Sequence, residues 1–179
     1  GISAQHKMRT RRAIKGAAWV FGDSEYIVNQ AAKIGSMKNS TVIPWGIEEQ
    51  FLVLHKPSYR LSRPLQIITP RQHEDVYNHE LIFKALAPLL KQGRVELTVP
   101  DFGSKVEDFR KLASESGVSG LHFYRRLDRY QFLKFMAGHD VYLSAARSDS
   151  SPASLIEAMA LGLIPVVADI DGVRSWMTE

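Results

Sequence analysis

The chain has 179 residues, of which 45% are hydrophobic and 23% charged, close to the average of globular proteins. This composition excludes a disordered chain, a collagen-like repeat and a coiled coil, and the length fits one domain with or without part of another. A net charge of +4 is mild for this length, and the absence of cysteine excludes disulfide bonds, thiolate metal sites and cysteine nucleophiles.

The amino-terminal part of the chain predicts a helix, a strand, a second helix and a second strand. Residues 7–18 place basic side chains among alanines at helical spacing. A short apolar strand at residues 19–21 ends in a Gly-Asp-Ser turn. Ser24 is placed to cap a helix that runs to Gly35, and a further short strand is predicted at residues 41–43.

Residues 48–64 have no clear periodicity and are interpreted as a linker. After them, short apolar strands alternate with amphipathic helices. Single helices between strands indicate βαβ crossovers, so the predicted fold class is α/β, a Rossmann-like parallel sheet flanked by helices. Strands are predicted at residues 65–69, 95–99, 121–124, 141–143 and 164–168, and helices at residues 79–90, 105–116, 130–137 and 152–161.

Residues 144–168 carry the strongest chemical signal. Ser151 followed by Pro152 is typical of a helix N-cap and first helical residue, and Gly162 is suited to end that helix. The helix is almost entirely apolar but contains Glu157. A buried carboxylate needs a partner, so two alternatives are open: a structural ion pair with a nearby arginine, or hydrogen bonds from ligand hydroxyls.

The spacing of two carboxylates favours a ligand. Asp149 lies eight residues before Glu157, on the segment that leads into the same helix. Ligands of parallel sheets bind beyond the carboxyl ends of the strands, where this segment falls. The helix N-terminus between the two residues offers free N–H groups and the positive end of the helix dipole. Two carboxylates and an anion cradle together suit a phosphorylated sugar.

This segment resembles the carboxyl-terminal donor motif of the group 1 (family 4) glycosyltransferases of the GT-B fold. That motif has two glutamates separated by seven residues, commonly followed by Ala-Met-Ala, a glycine and Pro-Val-Val-Ala. Asp149 and Glu157 take the two acidic positions. Other stretches are similar to the family: AMALGLIPVVA at residues 158–168, VIPWGI at residues 42–47, AAWVFGDS at residues 17–24 and ITPR at residues 68–71.

The resemblance implies a nucleotide-sugar donor and the residues that bind it. It places Glu157 on the ribose hydroxyls and Asp149 beside the transferred sugar, and these two are the predicted catalytic positions. It places Arg71 on the donor phosphates, a task that suits a planar guanidinium. The remaining predicted donor contacts are the backbone at Ser151, Ala153 and Ser154 for the pyrophosphate, and at Arg125, Arg126 and Leu127 for the base.

The resemblance also implies the reaction: a retaining, metal-independent transfer of sugar to an acceptor hydroxyl in polysaccharide or glycolipid synthesis. No metal or cofactor is expected, and Asp169 and Asp171 are interpreted as solvated turn carboxylates. Residues 1–47 are the expected end of an amino-terminal acceptor-side domain, residues 48–64 the linker, and residues 65–179 a truncated donor-binding domain. The fold is therefore expected to be incomplete at both ends, and the chain inactive alone.

The sequence departs from the family pattern at two charged positions. Tyr77 stands where the family has a phosphate-binding lysine, and Ser175 where it has a glutamate. These losses keep open a second hypothesis, a non-catalytic module of the same fold that acts as an interaction or scaffold domain. Four side chains are candidates to replace the lysine: His73, Lys105, Arg125 and Arg147.

Partners other than the donor are weakly indicated. The basic residues 7–15 are interpreted as a solvated helix face, with peripheral membrane contact as the alternative. Nucleic acid is not expected, because the stretch is short and has no interleaved aromatic residues. An ordinary dinucleotide-binding domain is disfavoured because no Gly-x-Gly-x-x-Gly follows a strand. The expected location is the cytoplasm.

Overall fold

The computed structural model describes residues 3–54 and 61–177, which cluster into two compact units. The first consists of the described parts of Gly1–Gly46, Asp149–Pro152 and Ile170–Glu179, and the second of those of Ile47–Ser148 and Ala153–Asp169. The elements, in chain order, are α1 (Ala4–Gly16), β1 (Val20–Gly22), α2 (Glu25–Ile34), β2 (Ser40–Val42), α3 (Gln50–Leu54), β3 (Leu65–Ile68), a 3-10 turn (Asp75–Tyr77), α4 (His79–Lys91), β4 (Val95–Pro100), α5 (Val106–Ser116), β5 (Leu121–Tyr124), α6 (Arg129–Ala137), β6 (Val141–Ser144), α7 (Ala153–Ala160), β7 (Ile164–Val167) and α8 (Asp171–Arg174).

In the first unit, the strands β1 and β2 pair in parallel and pack against α2. Helix α2 begins at the predicted cap, since the Ser24 hydroxyl accepts a 3.3 Å hydrogen bond from the N–H of Ile27, and it ends before Gly35. Helices α1 and α8 also pack on α2. This packing explains why residues 170–177 cluster with the amino-terminal elements, whereas the sequence assigned them to the donor-binding domain.

The second unit is a five-stranded parallel sheet in the order β5-β4-β3-β6-β7. The predicted α/β fold is confirmed, and each strand and connecting helix ends within one residue of its predicted bounds. The core lies between the sheet and helices α4 and α5, because their apolar faces are turned to the strands. Its buried members include Ile67, Leu97 and Val141 from the strands and Phe83, Leu90 and Phe109 from the helices.

The strand order reverses between β3 and β6, which are neighbours in the sheet. The crossover connections of two such strands run to opposite sides, and a crevice forms between them at the carboxyl edge of the sheet. Here the loop after β3 carries Arg71 and Tyr77, and the loop after β6 carries Arg147. The N–H of Arg147 donates a 2.8 Å hydrogen bond to the carbonyl of Val76, so the two loops meet at this point.

The predicted linker contains a helix that the sequence analysis did not expect. Residues Gln50–Leu54 form α3, which packs against α6 and α7 with the Phe51 side chain fully buried. A five-residue helix has too few internal hydrogen bonds to be stable alone, so tertiary packing forms it. Residues 55–60 of the predicted linker lie outside the described residues.

The start of α7 also corrects a prediction. The helix begins at Ala153, one residue later than expected, so the residue in the cap position is Pro152 rather than Ser151. The buried Ser151 hydroxyl has no hydrogen-bond partner among the described residues. The end of the helix agrees with the prediction: Gly162 has a φ of 83°, and its N–H donates to the carbonyl of Met159 at 3.0 Å.

Candidate functional site

Arg71, the predicted phosphate ligand, follows β3 and is held by Tyr77. Its Nη2 donates a 2.6 Å hydrogen bond to the Tyr77 hydroxyl. Its guanidinium carbon lies 4.3 Å from the centroid of the tyrosine ring, a cation–π distance. Tyr77 therefore orients the guanidinium at the position where the family has a lysine, but it adds no charge there.

His73 does not replace that lysine. It is 1% exposed, and its ring centroid lies 4.2 Å from that of His79 and 4.5 Å from that of Phe109. Burial, and then the charge of His79, lower the pKa of His73 to about 4. Its imidazole is therefore neutral at pH 7 and supplies no positive charge to a phosphate.

Arg147 is the candidate cation that lies beside Tyr77 in the fold. Its N–H bonds to Val76 and its Nη2 donates a 3.2 Å hydrogen bond to Oδ1 of Asn78, so its contacts flank Tyr77 on both sides. Lys105, by contrast, pairs with Asp108 at 3.5 Å on the first turn of α5. The loops after β3 and β6 thus each carry an arginine whose side chain is oriented by a polar neighbour.

A cavity of about 320 Å³ lies between the first turns of α4 and α5. Arg147 and Lys105 reach it, but Arg71 and Glu157 do not line it. Four carboxylates outnumber these cations, a charge balance that disfavours a nucleoside diphosphate in this cavity. The acidic lining residues are Glu74, Asp75, Glu80 and Asp108.

Glu157, the predicted ribose ligand, forms an ion pair on α7. Its side chain is 13% exposed, and its Oε1 accepts a 2.7 Å hydrogen bond from Nη2 of Arg129, the first residue of α6. This bond raises the pKa of Arg129. The structural ion pair that the sequence left open is thus present. The second oxygen, Oε2, has no hydrogen-bond partner among the described residues, so the carboxylate keeps an oxygen that can accept further hydrogen bonds.

The loop after β5, predicted to face the donor base, is held by contacts of Arg126 and Asp128. The guanidinium of Arg126 stacks on the ring of Phe102, with its carbon 4.4 Å from the centroid. Asp128 caps α6, since its Oδ1 accepts a 2.8 Å hydrogen bond from the N–H of Gln131. Arg125 and Leu127, which flank Arg126 in the chain, are exposed.

The first turn of α7 presents the predicted backbone donors of Ala153 and Ser154. N–H groups at the first turn of a helix have no acceptor within the helix, so they are available to an anion. The hydroxyl of Ser154 lies 3.0 Å from that of Tyr142 on β6, a hydrogen bond that anchors the helix start to the sheet. Ser151 belongs to the first compact unit and is not part of this turn.

Asp149 also belongs to the first unit, in a short hydrogen-bonded segment. Its Oδ1 accepts a 2.9 Å bond from the N–H of Ser150. The Ser150 hydroxyl donates to Oδ2 of Asp23 at 3.1 Å, and Nε1 of Trp45 donates to the same oxygen at 3.3 Å. Asp23, at the turn after β1, therefore connects the Asp149 segment to the rest of its unit.

Two residues beside the predicted carboxylates were not found by sequence reasoning. A Cβ on Gly172 would lie 2.0 Å from the carbonyl oxygen of Asp149, so only glycine fits there. The signal in the sequence was a glycine after the last strand, which by itself points to a turn. Arg129 gave no signal, because it lies 28 positions before Glu157 in the chain and only the packing of α6 beside α7 brings the two together.

The five-stranded parallel sheet flanked by helices is the fold of part of the GT-B glycosyltransferases. The family described as glycosyl transferases group 1 matches residues 54–179. The chain belongs to this family. Curated protein sequences give no match to the chain.

Solved structures match nearly the whole chain at low identity. The pneumococcal O-GlcNAc transferase GtfA, solved with UDP and GlcNAc, has a TM-score of 0.78 and 15% identity over 96% of this chain and 34% of its own. Sucrose-phosphate synthase from Thermosynechococcus elongatus has a TM-score of 0.79 and 15% identity, over 97% and 46%. WaaG, a glycosyltransferase involved in lipopolysaccharide biosynthesis, has a TM-score of 0.75 and 18% identity, over 96% and 50%. The chain thus spans a third to a half of the length of these proteins.

Within residues 3–54 and 61–177, no helix combines the length and the apolar character needed to cross a membrane.

Proposed function

We propose that the chain is the donor-binding part of a retaining glycosyltransferase, which moves a sugar from a nucleoside diphosphate to an acceptor hydroxyl. One observation carries the proposal: Glu157 stands on α7 with Oε1 paired and Oε2 without a partner among the described residues. A carboxylate with an unused oxygen on a mostly buried side chain is suited to accept ribose hydroxyls.

The phosphates are proposed to bind two guanidinium groups and the first turn of α7. Arg71 is oriented by Tyr77 and Arg147 by Asn78, so both cations are positioned before a ligand arrives. Cations fixed in this way stabilise the charge that develops on a departing nucleoside diphosphate. The backbone of Ala153 and Ser154 adds N–H donors, and the loop carrying Arg125, Arg126 and Leu127 is proposed to face the base.

Asp149 is proposed to lie beside the transferred sugar, with its segment fixed through Asp23 and Gly172. The proposal includes the division into an acceptor-side portion at residues 1–47, a linker at residues 48–64 and a donor-binding domain at residues 65–179. It also includes a polysaccharide or glycolipid acceptor and a cytoplasmic location. The role of WaaG in lipopolysaccharide biosynthesis supports that class of acceptor.

Isothermal titration of the 179-residue chain tests donor binding. We expect UDP, GDP or ADP to bind, with UDP tried first because the GtfA structure contains it. Glu157→Gln should weaken binding about tenfold, because a hydrogen bond to a charged group contributes about 1.5–3 kcal/mol. Glu115→Gln, at an exposed carboxylate on α5, is the matched control and should bind like the wild type. A folded chain that binds no nucleoside diphosphate contradicts the proposal.

The second candidate, a non-catalytic interaction or scaffold module, is favoured by the pairing of Arg71 with Tyr77 where a lysine would add charge. Activity of the longer protein that contains this chain separates the two. Sugar transfer that is lost in Glu157→Ala establishes the enzyme. Absence of transfer, with the protein folded and supplied with the donor it binds, favours the interaction module.

A further inference from the structure

The ion pair between Arg129 and Glu157 engages only one edge of the carboxylate. Nη2 of Arg129 lies 2.7 Å from Oε1 of Glu157. Oε2 has no hydrogen-bond or ion-pair partner among the described residues. The side chain of Glu157 retains 13% exposure on an otherwise apolar helix. A carboxylate that is paired at one oxygen and mostly buried can still accept hydrogen bonds at its other oxygen.

Arg129 is itself fixed by two further contacts and by its position at the capped start of α6. Asp128 caps the helix that Arg129 begins. Nε of Arg129 lies 3.4 Å from Oε1 of Glu48, and the guanidinium carbon of Arg129 lies 5.4 Å from the ring centroid of the buried Phe51. A guanidinium anchored on several sides loses little further entropy when it holds a carboxylate. The pair is therefore a rigid unit, built from α3, α6 and α7.

We propose that Arg129 is a positioning residue for ribose recognition. By holding Oε1 it keeps the Glu157 side chain in one rotamer, so that Oε2 accepts hydrogen bonds from the ribose hydroxyls. The inference rests on the proposed function and names how its ribose site is built. Arg129 acts through Glu157 and has no assigned contact with the ligand.

Other roles of the pair predict a different change in affinity when Arg129 is removed. The change would have the opposite sign, or it would not depend on whether the ligand carries ribose hydroxyls. If Arg129 merely occluded Glu157, its removal would strengthen nucleotide binding. If the pair served only to stabilise the fold, its removal would weaken all ligands equally. A positioning role instead predicts a loss confined to ligands that carry ribose hydroxyls.

The experiment compares UDP with 2′,3′-dideoxy-UDP by titration against the 179-residue chain. In the wild type, UDP should bind about tenfold tighter than the dideoxy analogue, equivalent to about 1.4 kcal/mol. In Arg129→Gln this ratio should fall below about threefold, while affinity for the dideoxy analogue stays within about twofold of the wild type. Arg129→Lys keeps the positive charge but loses the planar guanidinium. Its ratio of UDP affinity to dideoxy-UDP affinity should lie between those of the wild type and Arg129→Gln.

Arg110→Gln is the matched control. Arg110 also pairs with a carboxylate, Asp101, and also stacks on an aromatic ring, with its guanidinium carbon 4.6 Å from the centroid of Phe123. Its variant should keep the wild-type ratio. Thermal unfolding of each variant identifies any that does not fold, and Arg129→Lys then carries the test.

The outcomes separate the inference from the function on which it rests. An unchanged ratio in both Arg129 variants, or tighter UDP binding by Arg129→Gln, overturns the positioning role and leaves the donor-binding proposal standing. A folded wild-type chain that binds no nucleoside diphosphate removes both. A ratio that falls in Arg129→Gln and not in Arg110→Gln supports the positioning role.

Discussion

At the scale of single residues, three arginines in or beside the proposed site pair with a neighbouring side chain. Arg71 donates a hydrogen bond to Tyr77, Arg147 donates one to Asn78, and Arg129 donates one to Glu157. Side chains that are already fixed lose less entropy when a ligand binds, so such pairs favour affinity. The role we propose for Tyr77, at a position where the family has a lysine, is to orient the existing charge of Arg71.

Tyr77→Phe tests this use of the tyrosine. The variant keeps the ring under the guanidinium of Arg71 but removes the hydroxyl that accepts its 2.6 Å hydrogen bond. We expect affinity for UDP to fall about threefold to tenfold, because the lost bond involves a charged donor. Affinity for uridine, which has no phosphate, should stay unchanged in the same titration.

Tyr26→Phe on α2 is the control for a tyrosine hydroxyl outside the site, and it should bind UDP like the wild type. An equal loss for UDP and uridine in Tyr77→Phe would show that the hydroxyl supports the loop as a whole and not the phosphate contact.

At the scale of elements, the loops after β3 and β4 are interlocked. The N–H of His73 donates to the carbonyl of Phe102 at 3.0 Å, and the N–H of Lys105 donates to the carbonyl of His73 at 2.9 Å. Gly103 lies between these bonds with a φ of 123°. The interlock holds the loop that carries Arg71 against the neighbouring strand connection.

Gly103→Ala tests the interlock. A Cβ at this position would lie 2.4 Å from the backbone nitrogen of His73, and its φ is one that L-residues rarely adopt. We expect the free energy of unfolding to fall by about 3 kcal/mol, from strain together with a steric clash against backbone. Urea denaturation of the variant and the wild type measures the change.

Gly93→Ala separates the two causes of that loss. Gly93 also has a positive φ, 63°, but a Cβ there would meet no atom within 4 Å. This control should lose only about 1 kcal/mol, the cost of a left-handed conformation alone. Equal losses of unfolding free energy in the two variants would show that the two loops can separate at Gly103 without loss of stability. The interlock would then contribute nothing to the free energy of unfolding.

At the scale of the whole molecule, a buried histidine pair leads us to expect a fold that is sensitive to acid. His73 and His79 are 1% and 5% exposed, and they pack against Phe109 within the second unit. Nε2 of His73 and both ring nitrogens of His79 have no hydrogen-bond partner of good geometry among the described residues. Burial lowers the pKa of both histidines, to about 4 for His73.

The stability of the chain should therefore fall in mild acid. Between pH 6.5 and about pH 4 the unfolded chain binds a proton at His73 that the folded chain does not bind. Stability is fully present above pH 6.5 and decreases as the pH falls, by up to about 3 kcal/mol from this residue, with His79 acting in the same direction. Urea denaturation at a series of pH values between 7.5 and 4.5 measures the slope.

His73→Leu should flatten that slope without abolishing it, because His79 remains. His122→Gln, at an exposed histidine on β5, should keep the slope of the wild type. A slope in His73→Leu as steep as that of the wild type would show that the acid sensitivity comes from other groups.

The sequence by itself determined the fold class and the elements of the second unit. The strands and helices there repeat apolar residues with clear periods, and long periodic segments depend little on their surroundings. The motif from Asp149 to Ala168 was enough to identify the family, because its spacing and its helix boundaries are local. The N-cap at Ser24 and the stop at Gly162 were also predictable, since each depends on one residue and its own turn.

Only the tertiary structure decided which side chains meet. Strand order brings Arg147 beside Val76, the packing of α6 with α7 pairs Arg129 with Glu157, and the burial of Phe51 forms α3 within the predicted linker. None of these follows from local sequence, because each depends on residues far apart in the chain that come together when apolar faces pack. For the same reason the charges of the site could be named in advance, but their partners could not.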